Sequence, residues 1–429
     1  MIAEILSIGD ELLIGQVVNT NQAYIAEHLN RVGISVAHMT TVGDDRGSIL
    51  AAFRLAWERS DVLTVTGGLG PTHDDITREA VCAFFGRRLV LHQQTLDHVR
   101  ALLAQRNVTP LKRNEDQALV PEGCTVIPNP IGTAPGYLFE DAGKVMFVMP
   151  GVPYEMNAMM EATVIPSLAA KGSGYVVRHR TLKTTGIAES ILAERIGDIN
   201  ALLRNDEGLT LAFLPSPRGV RLRVTARRRS SADADALISR VDEEIRARAG
   251  KYIYGVDDEE IEEVVGRLLT ERGLTIAVAE SCTGGLIADR LTDVPGSSAY
   301  VERGFVTYSN SSKVEELGLD PRLIADHGAV SRPVAEAMAL GARERAKTDI
   351  GISTTGIAGP AGGSEAKPVG LVWIGYSDSR ETFAIEFRFA EGRRRVKERA
   401  SQAVLEIVRR RLLGAEQQFS AAGKQTGTP

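Results

Sequence analysis

AESCTGG, Ala279 to Gly285, joins two differently patterned segments. Before it, Leu274 to Val278 is an apolar run of strand length; after it, Ile287, Leu291 and Val294 recur at helical spacing. The heptapeptide is therefore expected to be a strand-to-helix turn, with Ser281 and Cys282 at the helix N-terminus. Unpaired backbone N–H groups and the positive end of the helix dipole favour an oxyanion or a phosphate there. A plainer role also fits the residues, with Ser281 capping the helix and the glycines forming the turn.

Working outward, the same rhythm continues. A helix is expected at about 259–272, strands at about 305–308, 350–354, 369–376 and 382–389, and a closing helix at about 393–413. Short buried strands alternating with amphipathic helices imply an α/β sheet, whose ligands gather beyond the carboxyl ends of the strands. Three polar loops accompany Ser281: GFVTYSNSSK (304–313), TTGIAGPAGG (354–363) and FAEGRRR (389–395). Arginines at a helix start oppose the dipole, which points to an anionic ligand, with an exposed basic turn as the alternative. The tail, 415–429, is small and polar and is expected to be disordered.

The N-terminal region repeats the rhythm, with strands expected at about 3–8, 35–39 and 62–66 and helices at about 20–32 and 46–59. Three polar stretches fall at the strand ends. They are GDELLIGQVVNTN (9–21, with Asp10, Glu11 and Asn19), VGDD (42–45) and TGGLGPTHDD (66–75, with Gly67, Gly68, Gly70 and Thr72). Glycines that admit close backbone approach suit a phosphate-bearing ligand, and carboxylates with hydroxyls suit a hard divalent cation. Neither GxGxxG nor GxxxxGK[ST] is present. Asp74 and Asp75 as helix caps are the alternative, and His73 is given no role.

Between these regions, KGSG (171–174) is a flexible break. A small α+β module follows, with strands at about 176–184, 209–214 and 220–227 and helices at about 189–203 and 233–248. Its arginines, Arg218, Arg221, Arg223, Arg227, Arg228 and Arg229, raise the question of RNA. The GXXG clamp and an aromatic platform are both missing, so a solvated charged face is expected and nucleic acid is not expected as a partner.

Composition bounds the rest. At roughly 100–200 residues per domain, 429 residues make two to four domains. A hydrophobic content of 43% with 24% charged residues is that of a globular protein. No apolar run approaches the ~20 residues of a membrane span, so no membrane partner is expected and the default location is cytoplasmic. Cys82, Cys124 and Cys282 are scattered and odd in number, which makes neither a disulfide framework nor a CxxC site. The net charge of −5 argues against nonspecific nucleic-acid binding by the whole chain.

Several of these motifs together carry a resemblance. AESCTGG, GFVTYSNSSK, HGAVS (327–331), TGIAGPAGG and KPVG (367–370) match, in order, the C-terminal domain of the CinA family, which also occurs alone as the nicotinamide mononucleotide deamidase PncC. GDELLIGQVVNTN and TGGLGPTHDD resemble the MoaB/MogA-like molybdopterin-binding fold and, more narrowly, the CinA N-terminal domain. NPIGTAPG (129–136) and MPGVPYEM (149–156) extend that match, and the middle module resembles the family's KH-like domain. The resemblance implies two α/β domains with mainly parallel sheets (1–170 and 258–414), joined by a small α+β KH-like domain (171–257).

It also implies chemistry. The C-terminal domain is expected to hydrolyse the amide of nicotinamide mononucleotide, and the N-terminal domain the pyrophosphate of ADP-ribose, which would make a two-activity enzyme of pyridine-nucleotide salvage. A divalent metal (Co, Mg or Mn) is implied for the N-terminal domain alone, with Asp75 as first ligand and Asp44, Asp45 and Glu155 as helpers. No cofactor is implied for the deamidase domain. A homodimer is the expected assembly. The competing reading is a binding protein for pterin, nucleotide or nucleic acid, with at most the last domain active.

Amide hydrolysis needs a nucleophile, a base and an oxyanion hole. Ser281 supplies the first. Lys313 serves as base if burial lowers its pKa, because desolvation favours the neutral amine. Tyr308 is assigned to orient or relay the proton, and the backbone of Cys282, Thr283, Gly284, Thr355 and Gly356 to bind the oxyanion or substrate. Arg393 is assigned to the phosphate, although the Arg393–Arg395 run blurs which arginine corresponds to the family's single one. Cys282 is the rival nucleophile, since helix N-termini acidify thiols. His327, the one histidine of this domain, reads as a turn residue. Ala361 departs from the family pattern, where Asp often follows Gly-Pro, so that position carries no catalytic weight.

Overall fold

The computed structural model describes residues 1–414 apart from 73, 74, 110, 173 and 391. His73, Asp74 and the polar tail therefore lie outside the described residues. Two compact units make up the chain: Met1–Arg178 with Ala226–Leu237, and His179–Thr225 with the chain from Ile238 onward.

In the first unit a six-stranded sheet has the order Ser35–Val42, Ile2–Ile8, Val62–Thr66, Lys144–Met149, Gly136–Asp141, Thr125–Ile127. The first four strands pair in parallel and the last two add antiparallel. All five residues of Val62–Thr66 are buried, as expected for a central strand covered on both faces. Alternate residues feed opposite cores: Leu63 and Val65 pack with Phe53 and Met146, while Val62 packs with Ile25, Leu29 and Phe147. The parallel strand ends bring three loops together. Gly67 (φ +112°) donates its N–H to Met149 O at 3.2 Å, and a Cβ there would lie 2.0 Å from Ile8 O, so only glycine fits.

The KH-like module carries a four-stranded sheet that includes Val176–Thr184 and Ile253–Val256, which pair antiparallel. The single helix expected over 189–203 is two, Glu189–Ile196 and Ile199–Leu203. Gly197 (φ +76°) breaks it, and Asp198 restarts it by accepting from the amides of Asn200 and Ala201. Ile253–Val256 carries no expectation from the sequence, since four residues are too few to show a period.

The C-terminal domain is a five-stranded sheet of order Val301–Val306, Ile276–Glu280, Ile350–Gly356, Leu371–Ser377, Thr382–Arg388. Its first three strands are parallel and its last two antiparallel. Ile276 and Val278 face one core with the helices Ile261–Arg272 and Arg393–Leu412, while Ala277 and Ala279 face the helix Arg332–Ala346. Small residues on that second face let the helix approach closely. A Cβ on Gly351 or Gly375 would lie 2.1 or 2.3 Å from the carbonyl oxygens of Ala339 and Ala335. Among the described residues no helix is long and apolar enough to cross a membrane.

Candidate active site

Register builds the C-terminal site. Glu280 is level with Val306 on one neighbouring strand and with Thr354 on the other, so the next residues, Ser281, Thr307 and Thr355, emerge together at one sheet end. Ser281 N donates to Thr354 O at 3.0 Å and Thr307 N to Glu280 O at 2.9 Å, which extends the ladder into the loops. The chain then climbs through Ser309, which caps the helix Asn310–Leu317 and places Lys313 one turn inside it.

Lys313 points back under the loop. Its Nζ lies 3.1 Å from Ser281 Oγ, 2.8 Å from Thr307 O, and 3.4 and 3.5 Å from the carbonyl oxygens of Ser309 and Tyr308. The residue is only 1% exposed, and no carboxylate pairs with it among the described residues. Burial without a counter-charge holds its pKa below the ordinary 10.5. A neutral amine has two N–H bonds for two of the carbonyls and one lone pair, which is left for the Ser281 hydroxyl proton.

The helix after Ser281 begins later than the sequence implies. It spans Leu286–Thr292, preceded by a turn in which Gly284 (φ +61°) and Gly285 (φ +94°) adopt left-handed conformations. Ser281 is therefore not a helix cap, and the first helical amides are not open to a substrate. Glu280, 1% exposed, turns its carboxylate onto them, accepting from Gly285 N at 3.0 Å, Ile287 N at 3.1 Å and Ala288 N at 2.8 Å. Among the described residues, the amides of Thr283 and Gly284 engage no acceptor, while that of Cys282 faces its own sulfur.

The remaining assigned residues separate by direction. Cys282 points into the core with Val278, Ile287 and Ile352, and burial pushes its thiol up to about 12. Thr283 is also buried, its Oγ1 2.7 Å from that of Thr354, while Thr355 Oγ1 donates to Ala329 O at 2.8 Å. These three side chains build the scaffold and leave only backbone to the site. Gly356 ends its strand opposite Val372, where a Cβ would lie 2.6 Å from Leu371 O. The proton-relay role for Tyr308 does not match its position. Its ring is 59% exposed and its hydroxyl accepts from Arg393 Nη2 at 2.7 Å, so only its backbone carbonyl reaches Lys313.

Arg393 also donates from Nη1 to Gly359 O at 3.1 Å, whereas Arg394 pairs with Glu398 on its own helix. Arg393 thus reaches two neighbouring loops. One turn further along this helix is a residue the sequence reading missed. Lys397 brings its Nζ to within 3.5 Å of where a Cβ on Gly284 would sit, and its i+4 spacing from Arg393 is the signal that could have found it. The middle of this helix is locked to the short one by Arg290, which bonds Glu262, Ser401 and Gln402 in a buried cluster.

The comparisons with known proteins follow this division. Residues 258–412 match the CinA C-terminal domain, 179–255 the damage-inducible protein CinA KH domain, and 4–170 the probable molybdopterin binding domain. A CinA-like protein of Chloroherpeton thalassium is 46% identical over 417 residues, spanning 95% of this chain and 99% of its own. The chain belongs to the CinA family. A second CinA-like protein, from Kosmotoga olearia, is 42% identical over 413 residues, covering 96% of this chain and 99% of its own. Among solved structures, the competence/damage inducible protein CihA of Agrobacterium tumefaciens is 39% identical and covers 37% of this chain and 98% of its own, with a TM-score of 0.34.

In the N-terminal domain of this CinA protein the assigned residues are tied up locally. Asp10 and Asp44 exchange backbone-to-carboxylate hydrogen bonds at 2.9 and 3.2 Å. Asp45 caps the helix Arg46–Arg59 by accepting from Ser48 N at 2.8 Å, which holds its carboxyl below the usual range. Asp75 accepts from the amide and hydroxyl of Thr72, and buried Glu155 accepts from Asn129 Nδ2 at 2.7 Å. Each carboxylate proposed as a metal ligand thus has its own donors, and no cluster of three or more such groups is placed to hold a metal among the described residues. A carboxylate that accepts one hydrogen bond keeps lone pairs for a cation, so these residues stay available singly and are not gathered into one centre among the described residues.

Glu11 accommodates the turn at Gly9, where a Cβ would lie 2.5 Å from its Oε1. Asn19 caps the helix Thr20–Arg31 through Gln22 N at 3.1 Å. Unsatisfied atoms nearby are more telling. The sequence reading missed Asn21 and Thr77, which flank the Gly67–Gly70 loop. Asn21 Nδ2 donates to Thr66 Oγ1 and Gly151 O, but its Oδ1 is buried without a partner among the described residues. Thr77 Oγ1 is likewise buried and unpartnered, and a Cβ on Gly68 would lie 2.3 Å from it. Orphaned buried polar atoms beside a glycine loop are what a polar ligand would satisfy.

Proposed function

We propose that the C-terminal domain is a Ser–Lys amidohydrolase that converts nicotinamide mononucleotide and water to nicotinate mononucleotide and ammonia. The observation that carries this reading is Lys313 Nζ 3.1 Å from Ser281 Oγ, buried and without a carboxylate partner among the described residues. Neutral Lys313 takes the Ser281 proton as Oγ attacks the amide carbonyl. The tetrahedral intermediate expels ammonia, which leaves with that proton, and water then hydrolyses the nicotinoyl ester. The amides of Thr283 and Gly284 are the candidates for stabilising the oxyanion. Arg393 and Lys397 supply positive charge for the substrate phosphate.

The test is ammonia release by the purified chain from nicotinamide mononucleotide without added metal. Ser281→Ala abolishes it, and Cys282→Ala leaves it within about three-fold, because a thiol held near 12 is protonated at neutral pH. Release that survives Ser281→Ala and vanishes in Cys282→Ala overturns the assignment.

A second reading concerns the N-terminal domain, and the unpartnered Asn21 Oδ1 and Thr77 Oγ1 favour it. The loop that they flank holds a nucleotide of the ADP-ribose class. Incubation of ADP-ribose with Co, Mg or Mn salts yields AMP and ribose 5-phosphate in the wild type and not in Asp75→Ala. Binding without cleavage by the wild type reduces the domain to a nucleotide-binding module.

A further inference from the structure

We infer a second anion site, for a small phosphate-type oxyanion, in a cavity between the KH-like sheet and the C-terminal domain. None of its walls belongs to the Ser281 loops, so it stands apart from the deamidase reading. The cavity encloses about 270 Å³ and is lined by Lys183, Arg218, Arg221, Tyr254, Glu260 and Glu398 together with the turn between the two arginine-bearing segments.

The charges do not balance. Lys183 is 7% exposed and its ammonium is held by Glu260 Oε1 at 2.9 Å. The other oxygen of Glu260 receives Arg218 at 3.5 Å, a long contact that leaves most of that guanidinium's donors unused. Glu398 accepts from Arg394 at 2.7 Å. Arg221 has no carboxylate partner among the described residues. One carboxylate thus serves two cations, and a third cation has none.

Backbone geometry fixes where these donors point. Gly219 (φ +148°) packs so closely that a Cβ would lie 1.9 Å from Thr184 O, and Ser216 Oγ donates to Gly219 O at 2.9 Å. The tight turn fixes the backbone around Gly219, which brings Arg218 and Arg221 to the cavity wall. Planar guanidinium forks match the paired oxygens of a phosphate better than a spherical halide ion. The volume lies near the lower end of ligand pockets, about 300 Å³, which suits inorganic phosphate or a small phosphate monoester and excludes a dinucleotide.

Isothermal titration of the full chain with inorganic phosphate, and separately with glycerol 3-phosphate, tests the assignment. Both titrations use the Arg393→Ala background at matched ionic strength, which removes the candidate active-site arginine. Saturable binding is expected, weakened about ten-fold or more by Arg221→Gln and by Arg218→Gln, since each removes charge-assisted hydrogen bonds. Both arginines are exposed, and unchanged circular dichroism and melting confirm that the variants fold. Stronger binding of inorganic phosphate identifies the free ion as ligand, and stronger binding of glycerol 3-phosphate a monoester. Absence of saturable binding by either probe, or equal affinity with and without the arginine substitutions, overturns the proposal.

Discussion

Lys313→Met is expected to lower ammonia release from nicotinamide mononucleotide by about 10³-fold, the range of a lost general base. Ser281→Ala is expected to cost at least as much, and the double variant no more than the worse single one, because nucleophile and base act as one unit. The pH profile carries the sharper signature. The amine acts as base only when neutral, so the rate rises with pH through the folded-state pKa of Lys313, which burial holds below 10.5, and levels off above it. The stability linkage has a defined sign. Between the folded and unfolded pKa values the unfolded chain binds more protons, so stability rises with pH across that window. Below the folded pKa the penalty of the buried ammonium is fully present, and above 10.5 it is gone. Initial-rate measurements across pH, paired with denaturant melts of wild type and Lys313→Met, check both statements. A wild-type rate that shows no rise with pH anywhere below 10.5 would sink the role of Lys313 as base.

Glu280→Ala is expected to lower stability by about 3 kcal/mol or more, the largest structural effect predicted for this domain. Its carboxylate satisfies the amides of Gly285, Ile287 and Ala288, and each buried donor left unpaired costs about 1–3 kcal/mol. Glu280→Gln is expected to fall between, because one oxygen can still accept while the new NH₂ faces donors. Urea unfolding of the three proteins measures this order. Activity is expected to fall with stability, since Ser281 is the next residue and its turn is shaped by these bonds. If Glu280→Ala unfolds at the wild-type midpoint, water satisfies the amides and the carboxylate does not build the turn.

These two residues also show where the sequence was legible. Strands such as Val62–Thr66 and helices such as Arg46–Arg59 were readable to the residue because their apolar periods are unbroken and bounded by polar or glycine positions. The helix restart at Asp198 was not, since one Gly-Asp step inside an apolar period is a weak local signal. Glu280 stood in plain view within AESCTGG. Nothing in the local pattern showed that a carboxylate ending an apolar strand would turn back onto the following helix. The four carboxylates assigned to a metal show a different boundary, since their local bonding is invisible in the sequence. Acidic residues at strand ends suggest a cation, yet Asp45, Asp75 and Glu155 are each taken up by nearby donors, and Asp10 and Asp44 by each other.

By itself the sequence determined the α/β class and the family, and singled out Ser281 and Lys313, which the fold brings together. Hydrophobic period and turn chemistry are local, so they survive in a one-dimensional reading. Tertiary structure alone decided the rest. Ser281 and Lys313 meet across 32 positions only because the parallel register sets Glu280 level with Val306. The same register sends Cys282 into the core, gives the helix-start amides to Glu280, and draws Tyr308 toward Arg393. AESCTGG is therefore a turn held by its own glutamate, and its serine is served by a lysine from the neighbouring strand's loop. Burial and direction are properties of packed neighbours, which no single segment contains.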